Sequence, residues 1–254
     1  MKRIILFDLD DTLMEEEASV EDAFYAACRP AEEKYHIRPG MLVERVRGHS
    51  RILWKLMPTH PYCREMGISS WEGLSGDFSG EGKGLSMLRG LVGEYRIHSW
   101  FNALMDFGVH DEEFAQQLSE RFRVERDRRH VLYPDSLEVL DRLSADHPLG
   151  LITNGAPMIQ WGKINATGIK DYFKHILVSC EIGYGKPDGR IFKAMLSRFG
   201  AEPGEACMIG DSRHTDILGA NQCRIESIWV NRDESRIEDG ITPDRIIRDL
   251  RELV

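Results

Sequence analysis

The chain has 254 residues, enough for one large domain or a core with a smaller companion, and it holds enough apolar residues to bury a core. No run of about 18 apolar residues occurs, so no membrane-spanning helix is expected, and a net charge of −9 disfavours a surface for nucleic acid or anionic membrane. Five cysteines without Cys-x-x-Cys spacing, and an apolar stretch after Lys2-Arg3 too short for a signal peptide, lead us to expect reduced thiols and a cytoplasmic location.

The first element is a short apolar run, Ile4-Ile5-Leu6-Phe7, that leads into Asp8-Leu9-Asp10-Asp11-Thr12. In an extended chain, residues i and i+2 face the same side, so Asp8 and Asp10 are brought close together. Two such carboxylates repel unless a cation or a shared proton intervenes. From residue 15 to about 131 the strand pattern stops and helical periodicity takes over. Glu17–Lys34, Met41–Met57, Met87–Phe107 and Glu112–Arg129 are expected helices, interrupted by a Gly-rich polar stretch at Gly73–Gly84. Within that stretch Gly80-Glu81-Gly82-Lys83-Gly84 superficially looks like a phosphate-cradling loop. Its first Gly would fall at Asp77, and Gly84 stands where Ser or Thr is required, so a flexible loop is expected. His60 and Cys63 have ligand-like spacing, but no second pair answers them.

Tyr133-Pro134-Asp135 reads as the return to the core. Apolar runs then recur at 149–152, 175–178, 206–209 and 225–230, alternating with helical patterns at Leu137–Leu143, Ile191–Phe199 and Thr215–Asn221. Such alternation implies βαβ units and a parallel sheet. The expected fold is therefore α/β, a three-layer Rossmann-like core of residues 1–14 and 132–254 with an inserted α-helical cap at 15–131.

Strand ends converge on one crevice in such a sheet. The residues gathered there are Asp8, Asp10 and Thr12, then Thr153 and Asn154, then Lys186, then Asp211, Ser212 and Asp216. Carboxylates suit a hard cation such as Mg²⁺, and hydroxyl, ammonium and backbone N–H groups of Asn154 and Gly155 suit a phosphate. The same inventory fits phosphoryl transfer, in which positioning and charge stabilisation do most of the work.

The set Asp8-Leu9-Asp10-Asp11-Thr12, Thr153-Asn154, Lys186-Pro187-Asp188 and Gly210-Asp211-Ser212 followed by Asp216 resembles the four motifs of the haloacid dehalogenase-like hydrolase superfamily. An insertion after the first motif is similar to the type-one helical cap of its phosphoglycolate, nucleotide and N-acylneuraminate phosphatases. The resemblance implies a phosphatase of a small soluble phosphorylated metabolite, with the cap as a lid. It implies Asp8 as the nucleophile that forms an aspartyl-phosphate and Asp10 as general acid and base. Thr153, Asn154 and Lys186 would bind the phosphoryl group. Mg²⁺ would be held by Asp8, the backbone carbonyl of Asp10 and Asp211, with Asp216 supporting the metal site through water or through Lys186. The partner is expected to be a small molecule, with no nucleic acid and no membrane, on a monomer or homodimer.

Two other readings stay open at this point. One is a 2-haloacid dehalogenase; those enzymes resemble this core but lack the second acid of the first motif, which here is Asp10. The other is a phospho-accepting signalling domain, which also combines acids, a hydroxyl and a lysine with Mg²⁺. In the insertion, Trp54, Trp71, Trp100 and Phe101 are expected to pack. Arg47, His49, Arg51, Arg96, His98 and Asn102 are expected to form a solvated helix face or, for one or two of them, to contact the rest of the substrate.

Overall fold

The computed structural model describes residues 3–236 and 240–254, so Met1, Lys2 and residues 237–239 of the expected core lie outside the described residues. These residues form two compact units. One comprises the described residues of Met1–Glu16, Val131–Gly155 and Lys163–Val254, and the other comprises Glu17–His130 and Ala156–Gly162.

The first unit is built on a six-stranded sheet in the order β3-β2-β1-β4-β5-β6. The strands are β1 (Ile4–Phe7), β2 (Leu149–Thr153), β3 (Phe173–Val178), β4 (Ala206–Gly210), β5 (Glu226–Val230) and β6 (Arg245–Ile247). Every neighbouring pair is parallel. Central strands of a parallel sheet are covered on both faces and therefore read as unbroken apolar runs, and β1, β2 and β4 are buried along their whole length. The helices of this unit are numbered after the six that precede them in the chain, and they pack by the same logic. In Gly189–Phe199, the buried residues Ile191, Phe192, Met195 and Leu196 form one stripe that closes a core with Leu6, Ile152, Leu177 and Met208. Gly150 lets β2 pass under that helix: a Cβ there would lie 2.9 Å from Leu6 and 3.0 Å from the Phe199 ring.

The insertion contributes α1 (Glu16–Tyr35), α2 (Pro39–Leu56), α3 (His60–Met66), α4 (Ser70–Ser75), α5 (Lys83–Met105) and α6 (Glu112–Asp127). The core adds α7 (Ser136–Asp146), α8 (Pro157–Thr167), α9 (Ser179–Ile182), α10 (Gly189–Phe199) and α11 (Leu218–Gln222). The helical unit has its own aromatic core. Phe24 stacks on Phe122 with ring centroids 4.3 Å apart, and Trp100 lies against both. Trp54 packs on Tyr95 at 5.0 Å and fills the space where a Cβ on Gly73 would stand. Part of the expected Gly-rich loop is helical: Ser69 and Glu72 form a reciprocal cap that starts α4. Gly82 precedes α5, which begins four residues earlier than its periodicity suggested. The five cysteines are free, and no described helix is long and apolar enough to cross a membrane.

Candidate active site

The strand order reverses at β1, whose neighbours are β2 on one side and β4 on the other. A crevice opens at the carboxyl ends of strands at such a switch point. The register pairs Phe7 with Ile209, so the chain leaves β1 and β4 side by side, and the Asp8 N–H donates to the Ile209 carbonyl at 2.9 Å. Asp8 and Asp211 are thereby brought together from opposite ends of the sequence.

Thr12 joins the two loops. Its hydroxyl lies 3.2 Å from Asp8 Oδ2 and 3.2 Å from Asp211 Oδ1, and it accepts the Asp211 N–H at 3.0 Å. Lys186 bridges the next pair. Its Nζ is 2.5 Å from Asp8 Oδ1 and 2.7 Å from Asp216 Oδ1, with all three side chains nearly excluded from solvent. Asp216 also accepts the Ser212 N–H at 3.1 Å, and Gly210 leaves the room it needs. Burial works against the Lys186 charge, but Asp216 and Asp8 outweigh it and hold the ammonium above its ordinary range. Burial pushes the Asp8 carboxyl up to about 6, against the pull of Lys186 and with the repulsion of Asp216. Asp211 is raised well above the usual range by burial and by the charges of Asp8, Asp216 and Asp11.

Oxygens of Asp8, Asp211 and Asp216 lie within 4.8 Å of one another. They form the one such cluster among the described residues, and His60 and Cys63 belong to none. Three hard oxygen donors crowded this closely fit a divalent cation such as Mg²⁺, and burial holds the Asp8 and Asp211 carboxyls above their ordinary range. Asp216 enters this group directly, while its Oδ1 is also tied to Lys186. The Asp10 carboxylate stands outside it, held instead by Lys163 at 2.8 Å.

Thr153 ends β2 beside β1 and is buried. Asn154 does something the sequence did not suggest. Its side chain donates to the Lys186 carbonyl at 2.9 Å and accepts the Lys186 N–H at 2.8 Å, a two-point clamp on the loop that carries the ammonium. The Gly155 N–H, expected as a phosphate donor, instead donates to Ser179 Oγ at 2.9 Å because the loop turns toward α9. That expectation is corrected.

Sequence reasoning also missed residues. Lys163, on α8, pairs with Asp10 and with Glu16 at 3.0 Å. It is the only Asp, Glu, Lys or Arg between Asp146 and Lys170, and that isolation was a readable signal. Arg232 pairs with buried Asp135 and donates to the Thr12 carbonyl at 3.1 Å, and Asp135 also accepts the Leu250 N–H at 2.8 Å. No local pattern announces that brace.

Within the helical unit, Arg47 pairs with Glu21 at 3.2 Å and His49 with Asp106 at 3.0 Å. Arg96 donates to the carbonyls of Gly73 and Gly76 at the end of α4, and burial lowers its pKa to about 10. These three side chains are engaged in holding the helices.

The family model for haloacid dehalogenase-like hydrolases matches residues 2–224. A phosphoserine phosphatase from Thermus thermophilus is 32% identical over 254 residues, covering 99% of this chain and 97% of that one. Among solved structures, a HAD-hydrolase from Bacillus subtilis bound to magnesium matches with a TM-score of 0.67 at 23% identity, over 99% of this chain and 96% of that one. A 2-haloacid dehalogenase from Pseudomonas syringae matches with a TM-score of 0.62 at 26% identity, over 100% and 96%.

Proposed function

The chain belongs to the haloacid dehalogenase-like hydrolase family, and from that premise we propose that it is a Mg²⁺-dependent phosphomonoesterase acting on a small phosphorylated metabolite through an aspartyl-phosphate on Asp8. The observation that carries this reading is Asp10, a second carboxyl fixed two residues from the buried Asp8 and still 28% exposed. Displacing a halide from carbon needs no proton for the leaving group, whereas expelling an alkoxide from phosphorus does. Asp10 is idle in the first chemistry and required in the second. The dehalogenase likeness is thus a likeness of fold.

Asp8, Asp211 and Asp216 are the residues that would hold Mg²⁺, with Asp10 adding its backbone carbonyl; when bound, the ion neutralises charge on the phosphoryl oxygens. Thr153 and Lys186 bind the phosphoryl group, one through its hydroxyl and the other through its ammonium. Asn154 and Asp216 keep Lys186 in place. An Asp8 carboxylate oxygen attacks phosphorus, the bond to the ester oxygen breaks, and the departing oxygen takes the proton of the Asp10 carboxyl. Water then gives a proton to the Asp10 carboxylate and attacks phosphorus. The bond to Asp8 breaks and inorganic phosphate leaves.

A panel of phosphorylated metabolites with Mg²⁺ tests the proposal, with phosphoserine, the substrate in the Thermus relative's name, among them. Wild-type protein should release phosphate from at least one member and from p-nitrophenyl phosphate, and Asp8→Asn should release none. Wild-type-like turnover by Asp8→Asn, or chloride release from a 2-haloacid in EDTA, refutes the assignment.

A further inference from the structure

Lys163 is the most deeply buried ammonium in the crevice, at 1% side-chain exposure, and the roles assigned so far do not use it. Its Nζ sits 2.8 Å from Asp10 Oδ1 and 3.0 Å from Glu16 Oε1. Removing an ammonium from water is costly unless its partners are close and well aligned, so this placement demands that both acids stay where they are. The two acids differ. Glu16, in the first turn of α1, is almost wholly enclosed at 6% exposure, while Asp10 opens toward solvent at 28%. One carboxylate anchors the ammonium from behind, and the ammonium in turn grips one oxygen of the other.

We propose that Lys163 is a positioning residue for Asp10: held by Glu16, it fixes the Asp10 carboxyl group in the orientation from which it hands over and recovers a proton. This rests on the phosphatase reading of the same site. A carboxyl on a short, partly exposed side chain has several orientations open to it, and only one points at a given leaving oxygen. Fixing Oδ1 from the buried side removes that freedom before substrate arrives. Lysine suits the task because a compact point charge on a flexible stem can sit between two acids. In this proposal Lys163 acts on the reaction through Asp10, the acid its Nζ holds at 2.8 Å.

The two chemical steps depend on Asp10 differently, which gives a test. Nitrophenolate is a good leaving group and departs from phosphorus without a proton, whereas hydrolysis of the aspartyl-phosphate always needs Asp10 to take a proton from water. With Lys163→Met, rapid mixing with p-nitrophenyl phosphate and Mg²⁺ should show a first turnover within about threefold of wild type. Steady-state turnover should fall about 10²-fold, the scale of a misplaced catalytic group. Phosphoenzyme should accumulate and be trapped by acid. KM should fall nearly in proportion to kcat, because kcat/KM reports only the steps up to formation of the phosphoenzyme. Lys163→Arg, which keeps the charge, should recover part of the steady-state rate. Glu16→Gln, which loosens the anchor and leaves the ammonium in place, should show the same pattern at about three- to tenfold, and it decides the matter if Lys163→Met does not fold. Equal loss in both phases, or no loss in either, overturns the positioning role. Failure of the underlying phosphatase reading looks different: wild-type protein then forms no phosphoenzyme, and Asp8→Asn has no effect.

Discussion

Adding one methyl group to Gly210 should disable the site from behind. Gly210 is the last residue of β4, and a Cβ built there would stand 2.3 Å from Asp216 Oδ2, 2.4 Å from its Cγ and 2.6 Å from its Cβ. Ordinary contact begins near 3.4 Å, so the Asp216 carboxylate must retreat by about 1 Å. Asp216 is fully buried and already committed to Lys186 at 2.7 Å and to the Ser212 N–H at 3.1 Å. It has no open side to retreat into, so strain of about 1–3 kcal/mol is expected, a fall in Tm of roughly 2–4 °C for each kcal/mol in a chain of this size. The retreat also drags Lys186 away from Asp8. A misplacement of that size costs about 10²-fold in kcat/KM. The assay is kcat/KM on p-nitrophenyl phosphate together with a thermal melt, run beside Gly204→Ala, where an added Cβ meets nothing within 4 Å. If Gly210→Ala matches wild type in both measurements, Asp216 does not fix Lys186 and the description of the site's rear wall is wrong.

Mg²⁺ and pH should act together on stability. The Asp8 carboxyl is raised to about 6 from an ordinary value of 3.8, so the ion-free fold loses stability as pH climbs from about 4 to 6, and a bound cation restores it above that range. A fixed, saturating Mg²⁺ concentration should therefore raise Tm roughly 3–6 °C more at about pH 7.5 than at about pH 5, since a proton competing for Asp8 weakens the ion about tenfold per pH unit, about 1.4 kcal/mol; equal shifts at both pH values remove Asp8 from the ion's ligands. Arg232→Met strips the buried Asp135 of its two-point partner and leaves it to backbone N–H groups such as that of Leu250, which should cost about 2 kcal/mol and lower Tm by roughly 4–8 °C. Asp135 is held below the usual carboxylate range by Arg232 and the Leu250 N–H in spite of its burial, so the wild-type advantage over this variant should shrink as pH falls below about 4, and an advantage that persists unchanged there would mean that the pair contributes nothing through charge.

The sheet was legible where chemistry forces a pattern. β1, β2 and β4 are covered on both faces, and no sequence can satisfy that without a continuous apolar run. β6 escaped because an edge strand of three residues, Arg245-Ile246-Ile247, carries no period and two of its three residues are exposed. α3 and α4 escaped because one or two turns are too short to show helical spacing. The candidate site divides along a similar line. Asp8, Asp10 and Asp211 follow a strand and Thr153 ends one, where a polar residue after an apolar run stands out, while Lys186 lies past α9 and Asp216 in the helical turn Arg213–Ile217. Asn154 was found by the same rule, but its partner could not be, because a clamp on the Lys186 backbone is a statement about two loops 32 residues apart. Lys163 and Asp10 are 153 residues apart, and nothing local to either of them records the other.

The crevice repeats one device. Lys186 lies between Asp8 and Asp216, and Lys163 lies between Asp10 and Glu16. In each group one acid is sealed in the fold while the other is the one assigned to chemistry. The sealed acid stabilises a buried ammonium, and in the proposed mechanism the ammonium orients the working acid. The two working acids have opposite needs. A nucleophile must stay ionised, and Lys186 serves that by lowering the Asp8 carboxyl against the burial that raises it. A proton donor must be able to hold its proton, and for Asp10 burial and the charges of Glu16 and Asp8 act in that direction while Lys163 opposes them. With Asp211 included, the two ammonium groups face five carboxyl groups, and a phosphomonoester would bring two more negative charges. Protonating Asp8 would ease that crowding but disarm the proposed nucleophile. In the proposed reaction, a divalent cation beside Asp8, Asp211 and Asp216 would relieve it and leave both acids in the forms they need.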